Sequence, residues 1–283
     1  MEAGAGKIKV KRRHAMTAPG LTVGVFDSGV GGISVLHEIR ALLPHAHLIY
    51  VADSAHVPYG EKPPHYIEAR SVKLSEFLLQ QGADAIVVAC NTATAAAMKT
   101  LRELFSVPIV GMEPAVKPAM ATTRSGVVGV LATTGTLASA RFAALLERYQ
   151  GDNRVITEPC PGWVEAVERG ELSGAMTRSL VEKHVQPLTF EGADVLILGC
   201  THYFFLRPLI ESSAGSSVTV LDTGAAVARQ LRLKLGEEGL VSGEGPAGTE
   251  AFYTSGDCAL GQGVMSKLWK NDPAVMALPP EFC

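Results

Sequence analysis

The chain has 283 residues, long enough for two lobes of ordinary size and too long for one small domain. Hydrophobic residues make up 47%, charged residues 19%, and the net charge is −3. That balance supplies two cores and gives no case for a nucleic-acid or membrane surface, and no uninterrupted apolar run is long enough to span a bilayer.

Residues 1–20 carry Lys7, Lys9, Lys11, Arg12 and Arg13 without the apolar core of a signal peptide. They read as a flexible basic tail, with Met16 an alternative start. The five cysteines are Cys90, Cys160, Cys200, Cys258 and Cys283. An odd number, wide spacing and the lack of a CxxC pair argue against a disulfide scaffold, a zinc ribbon and a thioredoxin-type pair. Free thiols in a reducing cytoplasm are the expectation.

Residues 21–26 read as a buried strand that runs into Asp27-Ser28-Gly29-Val30-Gly31-Gly32. Ile33, Leu36, Ile39 and Leu43 follow at helical spacing, stopped by Pro44. Residues 47–51 predict a second strand, leading into the turn-rich stretch 52–60, and 66–81 a helix. A third strand over 85–89 ends at Cys90, and an alanine-rich helix spans 92–104. Residues 107–110 form a short strand, and 111–118 read as a crossing between lobes. A second cycle then begins with a strand over 126–131, a turn at 132–136 and a helix from Ser139 towards Tyr149. Expected next are a strand at 154–157, helices at 163–168 and 179–188, strands at 195–198 and 218–221, and a helix from Asp222 through Leu235. A glycine-rich connector covers 236–248, residues 252–254 give a late strand on the first lobe, and the rest reads as surface.

Two stretches repeat. Gly82-Ala83-Asp84 feeds an apolar run ending on Cys90-Asn91-Thr92, and Gly192-Ala193-Asp194 feeds one ending on Cys200-Thr201-His202, at an offset of 110 residues (192 minus 82). The first strand of each cycle also matches, Gly24 against Gly129, at 105 (129 minus 24). The expectation is therefore α/β: two similar lobes, each a mainly parallel sheet flanked by helices, related by a pseudo-twofold axis. Residues 21–115 with 225–283 make lobe 1, and 116–224 make lobe 2. Ligands in such sheets sit beyond the carboxyl ends of the strands. Asp27, Asp53, Cys90, Thr133, Cys200 and Asp222 all fall there, which places a cleft between two polar rims.

Most free cysteines are small buried hydrophobes. Two in repeated contexts, each followed by hydroxyl, amide or imidazole side chains, argue for chemistry. A helix starting after each thiol is expected to lower its pKa. The glycine turn after Asp27 lacks the Lys-Ser/Thr of a phosphate loop and the spacing of GxGxxG, but its small residues can receive a carboxylate. Ser28, Asn91, Thr92 and Thr201 offer hydrogen bonds to small polar groups, with helix capping as the alternative role. His202 is placed to polarise Cys200 or bind a carboxylate. No clustered His/Cys pattern suggests a metal. Two thiols on opposite sides of one small pocket suit racemisation, in which one base removes a proton from one face of Cα and a conjugate acid supplies one to the other.

Four ordered motifs, Asp27-Ser28-Gly29-Val30-Gly31-Gly32, Pro58-Tyr59-Gly60, Cys90-Asn91-Thr92-Ala93-Thr94 and Gly199-Cys200-Thr201-His202-Tyr203, resemble the glutamate racemase family of the cofactor-independent aspartate/glutamate racemase superfamily. The resemblance runs from about residue 21 to about residue 240. It implies interconversion of L- and D-glutamate for peptidoglycan synthesis, with no cofactor and no metal, in a cytoplasmic protein that is often a homodimer. It implies Cys90 and Cys200 as the acid/base pair, with Asp27 and His202 assisting. Glu168 matches a carboxylate acting on the Cys200 side, with Glu165 as the alternative. Ser28, Tyr59, Gly60, Asn91, Thr92 and Thr201 match substrate-contacting positions, and Thr133 and Thr136 are further contacts. Two features depart from the pattern: Phe204 stands where many members have proline, and the basic extension is longer than in the shortest members. An aspartate or hydantoin racemase is the alternative within enzymes. A two-lobed binding module and a thiol redox protein are the alternatives outside this chemistry.

Overall fold

The computed structural model describes residues 20–240 and 245–283. The expected basic tail, apart from Gly20, and residues 241–244 of the expected connector lie outside the described residues.

The first cycle runs β1 (Thr22–Asp27), α1 (Ile33–Leu42), β2 (His47–Ala52), α2 (Pro64–Gln80), β3 (Ala85–Val88), α3 (Asn91–Leu104) and β4 (Ile109–Gly111). The second runs α4 (Val116–Thr122), β5 (Val127–Ala132), α5 (Thr134–Leu137), α6 (Ala140–Tyr149), β6 (Arg154–Pro159), α7 (Trp163–Glu168), α8 (Ala175–Phe190), β7 (Val195–Leu198), α9 (Arg207–Ala214) and β8 (Thr219–Leu221). The chain closes with α10 (Gly224–Glu237), β9 (Glu250–Thr254), α11 (Cys258–Trp269) and β10 (Val275–Ala277).

Two sheets result, ordered β10-β9-β2-β1-β3-β4 and β6-β5-β7-β8, and their paired strands are parallel. Each lobe thus reads second strand, first, third, fourth. The register repeats as well. Val23 pairs with Ala85 in one sheet and Val128 with Val195 in the other, at offsets of 105 (128 minus 23) and 110 (195 minus 85). The duplication read from two short matches therefore extends to strand order and pairing.

The repeated Gly-Ala-Asp turns gain a physical cause. Gly82 and Gly192 follow α2 and α8 with φ of 92° and 90°, a left-handed backbone that glycine adopts without strain. The amides of Gly82 and Ala83 return to the Leu79 and Leu78 carbonyls, and those of Gly192 and Ala193 to Thr189 and Leu188. This is the Schellman ending of a helix. The aspartate then pins a neighbouring strand start: Asp84 Oδ2 accepts the Thr22 amide at 3.0 Å, and Asp194 Oδ2 accepts the Arg124 and Ser125 amides at 2.8 and 3.0 Å. Helix end and strand register are fixed together, so each thiol arrives at a set height.

Three buried apolar clusters fill the layers. One lies between the six-stranded sheet and α2 and α3, and one covers the α4 and α6 side of the four-stranded sheet. The largest joins the lobes, with Val25, Leu36 and Tyr50 from the first and Trp163, Val185 and Tyr203 from the second. The residues after 254, expected as surface, instead form α11 and β10, and α11 buries Met265, Leu268 and Trp269. Gly261 and Gly263 lower helix propensity there and hide the pattern. No helix among the described residues is long and apolar enough to cross a membrane.

Candidate active site

Side chains on a strand alternate between faces, so Cys90 continues the face of Ile86 and Val88, and Cys200 that of Leu196 and Leu198. Both thiols stand just past the third strand of their lobe and line one small cavity. Ser28, Tyr59, Gly60, Asn91, Thr92, Thr133, Thr201 and His202 share that wall with them. Pro58 and Gly199, named in the sequence only as parts of motifs, and Val164, which the sequence did not single out, also line it.

The two thiols sit in different surroundings. Cys90 caps α3, its sulfur accepting the Ala93 amide at 3.4 Å, and its S–H points to Ser28 Oγ at 3.9 Å. Burial pushes this thiol well above its ordinary pKa, and the Asp27 charge adds to the rise, while the Ala93 amide and Ser28 pull the other way. The expected lowering by the helix start is real in sign, but desolvation is larger. Cys200 is followed by a 3₁₀ turn over Thr201–Leu206. Its sulfur lies 3.7 Å from His202 Nδ1, and His202 Nε2 lies 2.7 Å from Glu168 Oε1. Burial alone would lower the His202 pKa. Hydrogen bonds to Cys200 and Glu168, with the charges of Cys200 and Asp27, outweigh it and hold the ring well above its usual value. A ring whose protonated form is favoured therefore faces one sulfur and not the other.

Asp27 serves the glycine turn. Its Oδ1 accepts from the Ser28 amide at 2.7 Å, and its Oδ2 from the Gly32 amide at 2.6 Å and from Thr201 Oγ1 at 3.1 Å. Glu168 Oε1 also accepts the Val30 amide at 2.6 Å, so both carboxylates bridge the lobes. The glycines of this turn are required by close approach: a Cβ on Gly29 would collide with the Glu168 carboxylate, and one on Gly31 with the His202 ring. On the other side, the hydroxyls of Thr92, Thr133 and Thr136 form a triangle with 3.0 Å sides. Glu165 falls instead on the wall of an adjoining pocket with Cys160, Pro161 and Tyr203. Tyr59 lines the cavity, and its hydroxyl donates to Asp53 Oδ2 at 2.5 Å. Asp222, at another strand end, is paired with Arg207 Nη1 at 2.7 Å and caps Gly224.

Asn91 is buried, and neither its Nδ2 nor its Oδ1 has a protein partner. A donor and an acceptor left in this way at a cavity wall are matched to a ligand bearing both charges. Among the described residues no group of three His, Cys, Asp or Glu side chains is placed to hold a metal ion.

A family model described as Asp/Glu/Hydantoin racemase matches residues 33–231. The glutamate racemase of Ectopseudomonas mendocina (strain ymp) is 61% identical over 247 residues, covering 87% of this chain and 94% of the relative. The structure of Escherichia coli glutamate racemase in complex with L-glutamate and the activator UDP-MurNAc-Ala aligns with a TM-score of 0.81 at 31% identity, over 92% of this chain and 98% of that one. The Francisella tularensis glutamate racemase in complex with D-glutamate aligns at 0.78 and 26%, over 92% and 97%. By sequence and by fold, the chain belongs to the Asp/Glu/hydantoin racemase family.

Proposed function

We propose that this protein interconverts L- and D-glutamate, without a cofactor, by proton transfer at Cα between Cys90 and Cys200. One observation carries the reading: two thiols from equivalent positions of a duplicated fold line one small cavity. The relatives named above are glutamate racemases, and two of the similar structures hold L- and D-glutamate.

In one direction the Cys200 thiolate takes the α-proton and the Cys90 thiol delivers its own to the opposite face. The C–H electron pair stays on Cα as a carbanion until that delivery, and the two sulfurs end with exchanged protonation. The reverse reaction exchanges their roles. His202, held by Glu168, supplies the counter-charge when Cys200 is a thiolate. Asn91, Thr92, Ser28 and Thr201 receive the α-ammonium and carboxylate groups, and the three threonine hydroxyls, with Tyr59 and Gly60, complete the wall. Asp27 positions the glycine turn and Thr201. Lobe boundaries at 21–115 with 225–283 and at 116–224, a homodimeric assembly, and a cytoplasmic role in supplying D-glutamate for peptidoglycan complete the proposal.

The test is glutamate in deuterium oxide. Wild-type protein is expected to racemise either enantiomer with deuterium entering at Cα. Cys90→Ala and Cys200→Ala are each expected to lose racemisation by at least about a thousandfold. Each retains slow deuterium uptake into one enantiomer only, and the two variants keep opposite ones. Wild-type racemisation rates in either variant would refute the two-base reading, and aspartate run in parallel separates the substrates.

A further inference from the structure

The duplication leaves part of the chain without a counterpart. The six-stranded sheet has β9 and β10 beyond its first four strands, and after β10 comes a 3₁₀ turn over Pro280–Phe282. That turn packs on α2: the Phe282 ring meets Phe77 edge-on, with centroids 5.4 Å apart. The Phe282 carbonyl accepts from Arg70 Nη2 at 2.7 Å. The same guanidinium makes a two-pronged contact with Asp53, Nε to Oδ2 at 2.9 Å and Nη2 to Oδ1 at 2.7 Å. Asp53 Oδ2 in turn accepts the Tyr59 hydroxyl. Every member is buried, with Asp53 0% exposed, Tyr59 1%, Arg70 5% and Phe282 6%.

A buried guanidinium–carboxylate fork fixes orientation as well as distance, because both groups are planar and the bonds are parallel. Here it holds a residue of the cavity wall. Tyr59 begins the 3₁₀ turn Tyr59–Glu61, whose Gly60 abuts Thr133 and Gly135 of the opposite lobe. The Pro58–Tyr59–Gly60 wall beside Cys90 is thus tied to the clamped Asp53 through the Tyr59 hydroxyl.

We infer that Arg70 is a positioning residue for this reaction: by tying Asp53 to the Phe282 carbonyl it fixes the Tyr59 hydroxyl, and with it the substrate-facing Pro58–Gly60 wall. The unduplicated end of the fold thereby buttresses the Cys90 side of a pocket whose Cys200 side is buttressed by Glu168. This rests on the racemase reading, since the quantity at stake is the site's hold on glutamate.

The test uses the full chain with Arg70→Lys, which keeps the charge and loses the fork, Tyr59→Phe, which keeps the ring and loses the hydroxyl, and the double variant. Each single variant is expected to raise KM for both enantiomers about tenfold with kcat within about twofold. The double variant is expected to match the more affected single, because both changes cut one chain of contacts. Calorimetric binding of D-glutamate should weaken by the same factor. KM within twofold of wild type in Arg70→Lys, or additive effects in the double variant, would overturn the inference, as would a lowered melting temperature with unchanged KM. Absence of Cα exchange in the wild type would instead remove the racemase reading beneath it.

Discussion

The glycine turn after Asp27 shows how single residues set the cleft. Its backbone amides are the functional groups: Val30 N–H binds Glu168, and Gly32 N–H binds Asp27. Gly29 and Gly31 matter for what they lack. At Gly31 a methyl group would displace the His202 ring, and at Gly29 it would displace the carboxylate that holds that ring. Gly29→Ala is therefore expected to reduce kcat by at least about a hundredfold. The cost to stability should be modest, on the order of 1–3 kcal/mol. Racemisation rate and thermal unfolding of the same preparation check both. A variant of unchanged rate would mean that Glu168 and the glycine turn need not touch during turnover. None of this amide chemistry is visible in residue types, which is why the sequence supports Glu168 only through family resemblance and says nothing of Val30. The thiols, the hydroxyls and His202 are legible because their chemistry resides in side chains at repeated positions. The Arg70–Asp53 fork is not, because the two side chains stand 17 positions apart, one just past β2 and the other inside α2, and meet only in the folded chain.

At the scale of elements, the Gly-Ala-Asp turns connect helix ending, strand register and thiol placement. Asp194 gives this a measurable form. Its partial burial pushes the carboxyl pKa up. The Thr123 hydroxyl and the Arg124 and Ser125 amides outweigh that, leaving it at about 2 against an ordinary 3.8. A carboxylate depressed on folding stabilises the native state above its unfolded pKa, and that contribution is lost as pH falls towards its folded value. Asp194→Asn should thus cost about 1–2 kcal/mol at neutral pH, with the gap from wild type closing between about pH 4 and pH 2. Denaturant unfolding across that range is the measurement, and a gap independent of pH would assign the effect to packing. Most elements were legible for the same local reasons: alternating or continuous apolar runs, helical spacing, and glycine where the backbone turns left-handed. The exceptions are α4, α5, α9, α11 and β10. Of these, α11 carries two internal glycines and gains its order from burying Trp269 and Met265 against α1 and the six-stranded sheet, contacts that no local pattern announces.

At the scale of the whole molecule, a pseudo-symmetric protein meets a pair of mirror-image substrates. The enantiomers have equal free energy in solution, so kcat/KM is the same in both directions for wild type and for every variant. The unequal surroundings of the thiols can appear only in how kcat and KM divide within that fixed ratio. On the proposed mechanism, His202, its protonated form favoured, sets positive charge 3.7 Å from the Cys200 sulfur, while burial and Asp27 disfavour a thiolate at Cys90. The enantiomer deprotonated by Cys200 therefore starts from the more stable complex and should show both the lower kcat and the lower KM. Its identity follows from the enantiomer that still exchanges in Cys90→Ala. Glu168→Gln removes the charge that holds the imidazolium, 2.7 Å away and well shielded from water. The two kcat values should then approach one another by roughly tenfold, equivalent to about 1.4 kcal/mol of bias between the bound states. The two kcat/KM values should fall together and remain equal. Initial rates from each enantiomer, followed by circular dichroism, measure all four constants. A kcat ratio unmoved by Glu168→Gln would show that the bias between the thiols comes from Cys90's burial alone, and that the Glu168–His202 pair orients Cys200 without charging it.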